Sequence, residues 1–312
     1  MAYERSIFPI YHKPVNIRDY VSNLITELPL SILLTMVSCN IGLSAQVSQI
    51  DSESLSPSVI TDLPGPGKRV KMILPAYKGT DLYHTLYLPS DWNQNEKYPV
   101  IVEYAGNMWK NRKGTVDECN LGYGISGGKG AIWVCLPFVD KAKGQNASTW
   151  WGDTEATVDY CKQTVKQVCT KFGGDSSNLF IAGFSRGSIA CNYIGLYDDE
   201  IASLWKGFIC HSHYDGVKNW NYRNSDRAAA LIRLKRLGLR PQFISQERSI
   251  AETKKYLSKV LPYGNFQYLA LPISEHTDCW ILQDNPARKV IRDWFKQVQS
   301  AEKVGHNLGH KR

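Results

Sequence analysis

The chain has 312 residues, 43% of them hydrophobic and 21% charged, an ordinary globular composition with no internal repeat of solenoid or propeller period. Its formal net charge of +8 comes from short scattered groups such as Lys110, Arg112 and Lys113, with no long basic run and no nucleic-acid motif, so the charge reads as solvated surface and no nucleic-acid partner is expected. The eight cysteines form no C-x-x-C pair, so no structural zinc site is expected.

In chain order, residues 28–37, "LPLSILLTMV", form an apolar run of about ten residues, too short to span a bilayer as a helix. The run matches the apolar section of a signal peptide, so residues 1–45 are expected as a leader. "LSA" at 43–45 offers one cleavage point. "MVSC" at 36–39 loosely resembles a lipoprotein box that would lipidate Cys39. Secretion or a periplasmic location is therefore expected, with no transmembrane span. An ordinary N-terminal helix and a cytoplasmic location are the alternative, because the section before the run is long and Glu27 abuts it. Residues 46–67, rich in Ser, Pro, Asp and Gly, read as a linker. Residues 68–300 read as one domain, and 301–312 as a polar tail.

Within the domain, "RVKMILPAY" (69–77) and "LYHTLYLP" (82–89) read as strands joined by the turn "KGTD". "YPVIVEYAG" (98–106) and "GAIWVCLP" (130–137) are runs suited to strands buried on both faces. "GYGISGGKG" (122–130) lacks the register of a nucleotide-binding loop and reads as a flexible loop near the site. Residues 153–172 have helical spacing ended by Gly173 and Gly174. Strands at 178–184, 205–212, 241–245 and 266–272 then alternate with helices at 186–197, 225–237, 250–261 and 286–299, with Ser225 a candidate N-cap. The order predicts an α/β fold, a mostly parallel central sheet with helices on both faces, and a site at the carboxyl ends of the strands.

"GFSRG" (183–187) lies between a strand and a helix, the setting of a nucleophile elbow. Ser185 is the candidate nucleophile, held at a helix N-terminus where N–H groups favour an oxyanion. A serine needs a base, and His276, just past the last strand, is the candidate. His306 and His310 lie in the tail. His211 and His213 end a strand and are candidate pocket residues. The acid is open between Glu247, in the loop after 241–245, and Asp215, after the preceding strand. Ser249 stands where an aspartate would be expected. Asp278 is read as a cap or lining residue. Arg186, Gly106 and Asn107 are candidate oxyanion donors through their N–H groups, with the Arg186 side chain on the surface. Trp150 and Trp151 read as packing residues.

The residues "GFSRG", "YPVIVEYAG" and "HTDCW" (276–280) resemble the α/β-hydrolase superfamily over roughly residues 66–300. "YLPSDW" followed by "YPVIVEYAG" is similar to its secreted esterase branch of feruloyl esterases, acetylxylan esterases and polyester depolymerases. The resemblance implies hydrolysis of carboxylic esters through an acyl-enzyme without cofactor, on a small-molecule or glycan-linked ester substrate. Where many relatives have His-Gly after the first buried strand, this chain has "AGN". A peptidase of the same fold and a non-catalytic binding protein on a hydrolase scaffold are the rival readings.

Overall fold

The computed structural model describes residues 55–302. The leader expected over 1–45 with Cys39, residues 46–54 of the linker, and residues 303–312 with His306 and His310 lie outside the described residues. No helix among the described residues is long and apolar enough to cross a membrane. Residues 55–67, expected as linker, lie against the sheet. Val59–Ile60 (β1) pairs parallel with Arg69–Met72 (β2), and Ser56 Oγ donates to Asn120 Oδ1 at 2.9 Å. Composition conceals this because pairing at a sheet edge is made by backbone and asks little of the side chains.

The strand expected through residue 77 stops at Met72, and Pro75–Tyr77 form a 3-10 turn, as a proline without an N–H favours. His84–Tyr87 (β3) returns antiparallel, with Arg69 opposite Tyr87. The sheet continues with Tyr98–Tyr104 (β4) and Ile132–Leu136 (β5). Val139–Asp140 (β6) and Gln145–Asn146 (β7) make a separate small hairpin. Gly174–Phe184 (β8), Gly207–His211 (β9), Gln242–Glu247 (β10) and Phe266–Leu271 (β11) complete the sheet. The spatial order is β1-β2-β3-β5-β4-β8-β9-β10-β11. β2–β3 and β3–β5 are antiparallel, and every other neighbouring pair is parallel.

Seven α-helices lie among the described residues: Leu121–Ser126 (α1), Thr154–Lys171 (α2), Arg186–Tyr193 (α3), Asp199–Leu204 (α4), Arg227–Leu234 (α5), Ala251–Val260 (α6) and Pro286–Ser300 (α7). The cap of α5 is Asp226, which accepts from Ala229 N, rather than Ser225; the Ser225 hydroxyl is bonded to Tyr222. Strand side chains alternate between two cores. Val100, Val102, Leu179 and Ile181 face one core with α2, α3, α5 and α6, through Tyr160, Ile189, Leu234 and Leu257. Ile101, Phe180 and Ala182 face the other with α1 and α7, through Ile125, Ile291 and Phe295. Burial on both faces is why these strands read as continuous apolar runs.

The stretch expected as a flexible loop at 122–130 contains most of α1. Its glycines give it poor intrinsic helix propensity, and tertiary contacts override that. The buried carboxylate of Glu103 on β4 accepts from the N–H groups of Asn120, Leu121 and Gly122 at 3.1, 3.0 and 2.8 Å, and from Trp133 Nε1 at 2.8 Å. Burial pushes the Glu103 pKa up to about 7 against those four bonds. A Cβ on Gly122 would collide with Trp133, and one on Gly124 with Ile281, so glycine lets the helix lie directly on the sheet layer.

Two further glycines govern the turn from β8 into α3. A Cβ on Gly183 would strike the Gly187 backbone, and one on Gly187 would strike the Tyr104 carbonyl. Backbone does not yield as a flexible side chain would. Gly183→Ala and Gly187→Ala are each expected to lower stability by at least about 1–3 kcal/mol, read as a drop in Tm. Gly65→Ala, which would meet only Lys68 side-chain atoms at 3.7 Å or more, should leave Tm unchanged.

Candidate active site

Ser185, His276, Glu247, Asp215, Gly106 and Asn107 sit at the carboxyl ends of parallel strands or in the loops that follow, and Arg186 opens α3. Ser185 is the single residue between β8 and α3, with φ 54° and ψ −113°. A non-glycine residue there carries strain of about 1–3 kcal/mol, held only where the surroundings over-determine it. The surroundings are the Gly183–Gly187 approach and the Ser185 N–H, which donates to His211 O at 3.0 Å. His276, in the loop after β11, lies with Nε2 2.9 Å from Ser185 Oγ. Its Nδ1 is 3.2 Å from Glu247 Oε1 and 2.8 Å from Ser212 Oγ. β10 runs two residues past the expected strand, so Glu247 is its last residue rather than part of a loop.

The candidate oxyanion side is equally specific. A Cβ on Gly106 would come within 3.1 Å of the Phe184 ring and 3.4 Å of Ser185 Cβ, so the 105–107 backbone passes beside the serine. Among the described residues no backbone acceptor is bonded to the Gly106 or Asn107 N–H, and the Arg186 N–H belongs to the first turn of a helix, where no intrahelical partner exists.

No family model and no curated protein matches the sequence. Solved structures match in shape. A feruloyl esterase module from Clostridium thermocellum aligns with a TM-score of 0.53 at 16% identity, over 83% of this chain and 95% of that one. A structural study of two fungal esterases from Rhizomucor miehei supplies another, at 0.50 and 12% identity, over 76% of this chain and 84% of that one. A Bacteroides ovatus protein assigned as a dipeptidyl aminopeptidase IV aligns at 0.54 and 15% identity over 74% of this chain. The chain spans about a third (35%) of that protein's length.

The chain has the α/β-hydrolase fold.

Within that fold the Arg186 side chain is buried, not on the surface as expected. Its guanidinium donates to the carbonyls of Ala105 (3.4 Å), Gly106 (2.9 Å), Gly114 (3.0 Å), Ala147 (3.2 Å) and Trp150 (2.6 Å), and lies 4.1 Å over the Phe138 ring. Burial pulls its pKa down to about 9. Asn107 Oδ1 accepts from Trp150 N at 2.7 Å, closing the same set of loops. The sequence carried no signal for this role, because an arginine at the start of a helix after a tight turn is as compatible with solvent as with burial.

The two acid candidates separate. Asp215 is fully buried, and both its oxygens are held by Arg233 of α5, at 2.8 and 2.9 Å; the structure gives it to Arg233 and not to His276. Burial tends to raise the Glu247 pKa, but the hydrogen bond from His276, the field of His211 and the hydrogen bond from Ser212 outweigh it and bring the pKa down to about 2. Ser249 Oγ accepts from Ala251 N at 3.3 Å, at the start of α6. Asp278 is buried between Arg112 (2.5 Å) and Asn120 Nδ2 (3.2 Å), and so ties the 106–114 loop to the histidine loop rather than capping a helix.

His211 is fully buried, bonded to Ser245 Oγ (3.0 Å) and in contact with Thr277 O (2.9 Å) and Trp280 Nε1 (3.0 Å), so it braces the histidine loop and does not line a pocket. The His213 ring stands 5.3 Å from that of His276 and 5.0 Å from Trp220, and burial brings its pKa down to about 4. Trp151 is fully buried and stacks 4.2 Å from Tyr193, a packing residue. Trp150 is half-buried and lies 6.0 Å from Trp220 and 6.2 Å from Tyr222. An aromatic series thus runs from His276 through His213 and Trp220 to Trp150. Glu103, Cys119 and Cys135 form the one cluster of potential metal ligands among the described residues. It does not fit a cation, since the Glu103 oxygens are taken by four N–H donors and Arg69 Nη2 donates to Cys135 Sγ at 3.4 Å.

Two substitutions should separate the carboxylates. Asp215→Ala leaves a buried guanidinium without its partner and should cost about 3–5 kcal/mol of stability, measured by urea unfolding. Glu247→Gln should still fold but be less stable than wild type at neutral pH, because the charge that His276 and Ser212 stabilise is gone. Because the Glu247 pKa is lowered from 4.5 to about 2, the stability it contributes is complete above about pH 5 and is lost as pH falls toward 2. Wild type should therefore lose more stability than Glu247→Gln over that window.

Proposed function

We propose that the protein is a serine hydrolase that cleaves carboxylic esters through an acyl-enzyme, with Ser185 as nucleophile, His276 as general base and Glu247 as the acid. The observation that carries this reading is the unbroken contact from the strained Ser185, at 2.9 Å from His276 Nε2, to Glu247 on the far side of the ring. A serine used only as a turn residue needs neither the strain nor the two partners.

In the first half-reaction Ser185 Oγ attacks the ester carbonyl as His276 Nε2 takes its proton. The N–H of Arg186 and an N–H of Gly106 or Asn107 hold the oxyanion, each donor worth about 2.7–4 kcal/mol in such sites. The imidazolium gives its proton to the leaving alcohol. Water then enters, gives a proton to Nε2 and attacks the acyl carbonyl, and Ser185 recovers its proton as the acid departs. No cofactor takes part in these steps.

The surface around Ser185 supports a large or polymer-linked ester. His276 is 44% exposed. Met108 and Trp109, on the loop that follows the candidate oxyanion residues, are 52% and 67% exposed. The series of half-buried, mutually tilted rings beside His276 offers edges and faces for contact with an aromatic or sugar group. An acyl group carried on plant or algal polysaccharide fits this surface, and it fits the export suggested by the apolar run at 28–37.

The purified protein should be labelled by a fluorophosphonate, and Ser185→Ala should abolish labelling. On a panel of p-nitrophenyl, feruloyl and acetyl-sugar esters, Glu247→Gln should lower kcat by about 10³–10⁴-fold, as loss of the acid does in a triad, and His276→Ala by at least as much. Absence of labelling with the fold intact would favour the binding-protein reading. Turnover of peptide amides in preference to esters would favour the peptidase.

A further inference from the structure

Ser212 has no part in the serine, histidine and acid reading, yet it stands between the base and the acid. It is the residue after β9, 5% exposed, with φ +90°. Ser185 and Ser212 thus share a left-handed non-glycine backbone, and such strain collects at functional positions. Its N–H is fixed to Ser245 O at 2.8 Å. Its Oγ lies 2.7 Å from each Glu247 oxygen and 2.8 Å from His276 Nδ1, whereas Glu247 Oε1 is 3.2 Å from that nitrogen.

Proton bookkeeping orients the chain. For Nε2 to accept from Ser185, the neutral ring must carry its proton on Nδ1. The nearest acceptor for that proton is Ser212 Oγ, not the carboxylate. The hydroxyl has one proton of its own, and Glu247 at neutral pH has none, so the hydroxyl donates to the carboxylate. The order is therefore Ser185 to Nε2, then Nδ1–H to Ser212, then Ser212 to Glu247. The other groups facing the ring do not supply an acceptor on this side: Phe184 and His213 meet it through their rings, at 4.7 and 5.3 Å.

Resting on the proposed serine-hydrolase reading, we infer that Ser212 is a positioning residue, a hydroxyl relay through which Glu247 sets the tautomer and plane of His276. No proton leaves the relay during turnover. The imidazolium holds both its protons, and Ser212 keeps its own. Hydrogen bonds in series polarise one another, so the carboxylate stabilises the imidazolium through the hydroxyl as well as directly.

The test is the rate of Ser185 labelling by a fluorophosphonate, together with kcat and KM on an ester that wild type turns over. Ser212→Ala removes the hydroxyl, and Ser212→Gly also relieves the backbone strain, so the pair separates the hydroxyl from the fold. Both variants should retain Tm near wild type, keep KM, and lower the labelling rate and kcat by about 10–100-fold, the loss expected from a misplaced base. In a Glu247→Gln background the same substitutions should change the rate by less than about threefold, because the two residues act as one unit. Wild-type rates in a folded Ser212→Gly variant, or losses that multiply with Glu247→Gln, would overturn the relay while leaving the hydrolase reading intact. A folded wild type that is not labelled at all would overturn both.

Discussion

One buried guanidinium holds the candidate site in shape. Arg186 directly follows Ser185, and its side chain is bonded to carbonyls at 105–106, 114 and 147–150. These loops come from different parts of the chain and have no regular backbone pairing with one another. An arginine offers five N–H donors in a rigid fork, and here the fork replaces that pairing. The burial of its charge is unfavourable in itself, as the fall of its pKa to about 9 shows, so the carbonyl shell must be complete. The same residue supplies, through its backbone, one of the N–H groups beside Ser185. Loop position and donor position are thereby set by a single side chain.

The rest of the site is a second set of ties between strand ends. Phe184 precedes the serine and lies under the Arg112 guanidinium, 4.6 Å away. Arg112 reaches Asp278, Asp278 reaches Asn120, and Asn120 opens the helix whose first N–H groups are held by Glu103. His211 braces the histidine loop from below through Thr277 and Trp280. These polar groups are buried or half-buried and bonded to one another, which makes the arrangement rigid and makes loss of any one member costly. The neighbours of similar shape are 12–16% identical, and the fold is what they have in common with this chain.

Much of the architecture was legible in the residues. Apolar runs at 98–106 and 130–137 announced strands buried on both faces, because a parallel sheet between helices leaves no polar side. "GFSRG" announced its turn, because only glycine at 183 and 187 lets backbone pass so close. The glycine-rich stretch at 122–130 misled, since its propensity argues against a helix and only Glu103, 18 residues before Leu121, supplies the missing N-terminal acceptors. Edge strand β1 was hidden in a sequence that looks like linker.

The sequence by itself determined the order of elements and the positions of Ser185 and His276, since both depend on local features: a turn with a fixed glycine spacing, and a histidine just past the last strand. Only the tertiary structure placed Glu247 beside His276 and Asp215 with Arg233, buried the Arg186 side chain and brought Ser212 into the candidate site. Each of those outcomes depends on where a side chain far along the chain comes to rest. Arg233, on a helix 18 residues beyond Asp215, takes that carboxylate. Two residues of added strand carry Glu247 to His276, and a strained serine on the neighbouring strand end meets both. Local patterns in a sequence report periodicity and backbone freedom; pairing across the fold is a matter of three-dimensional distance.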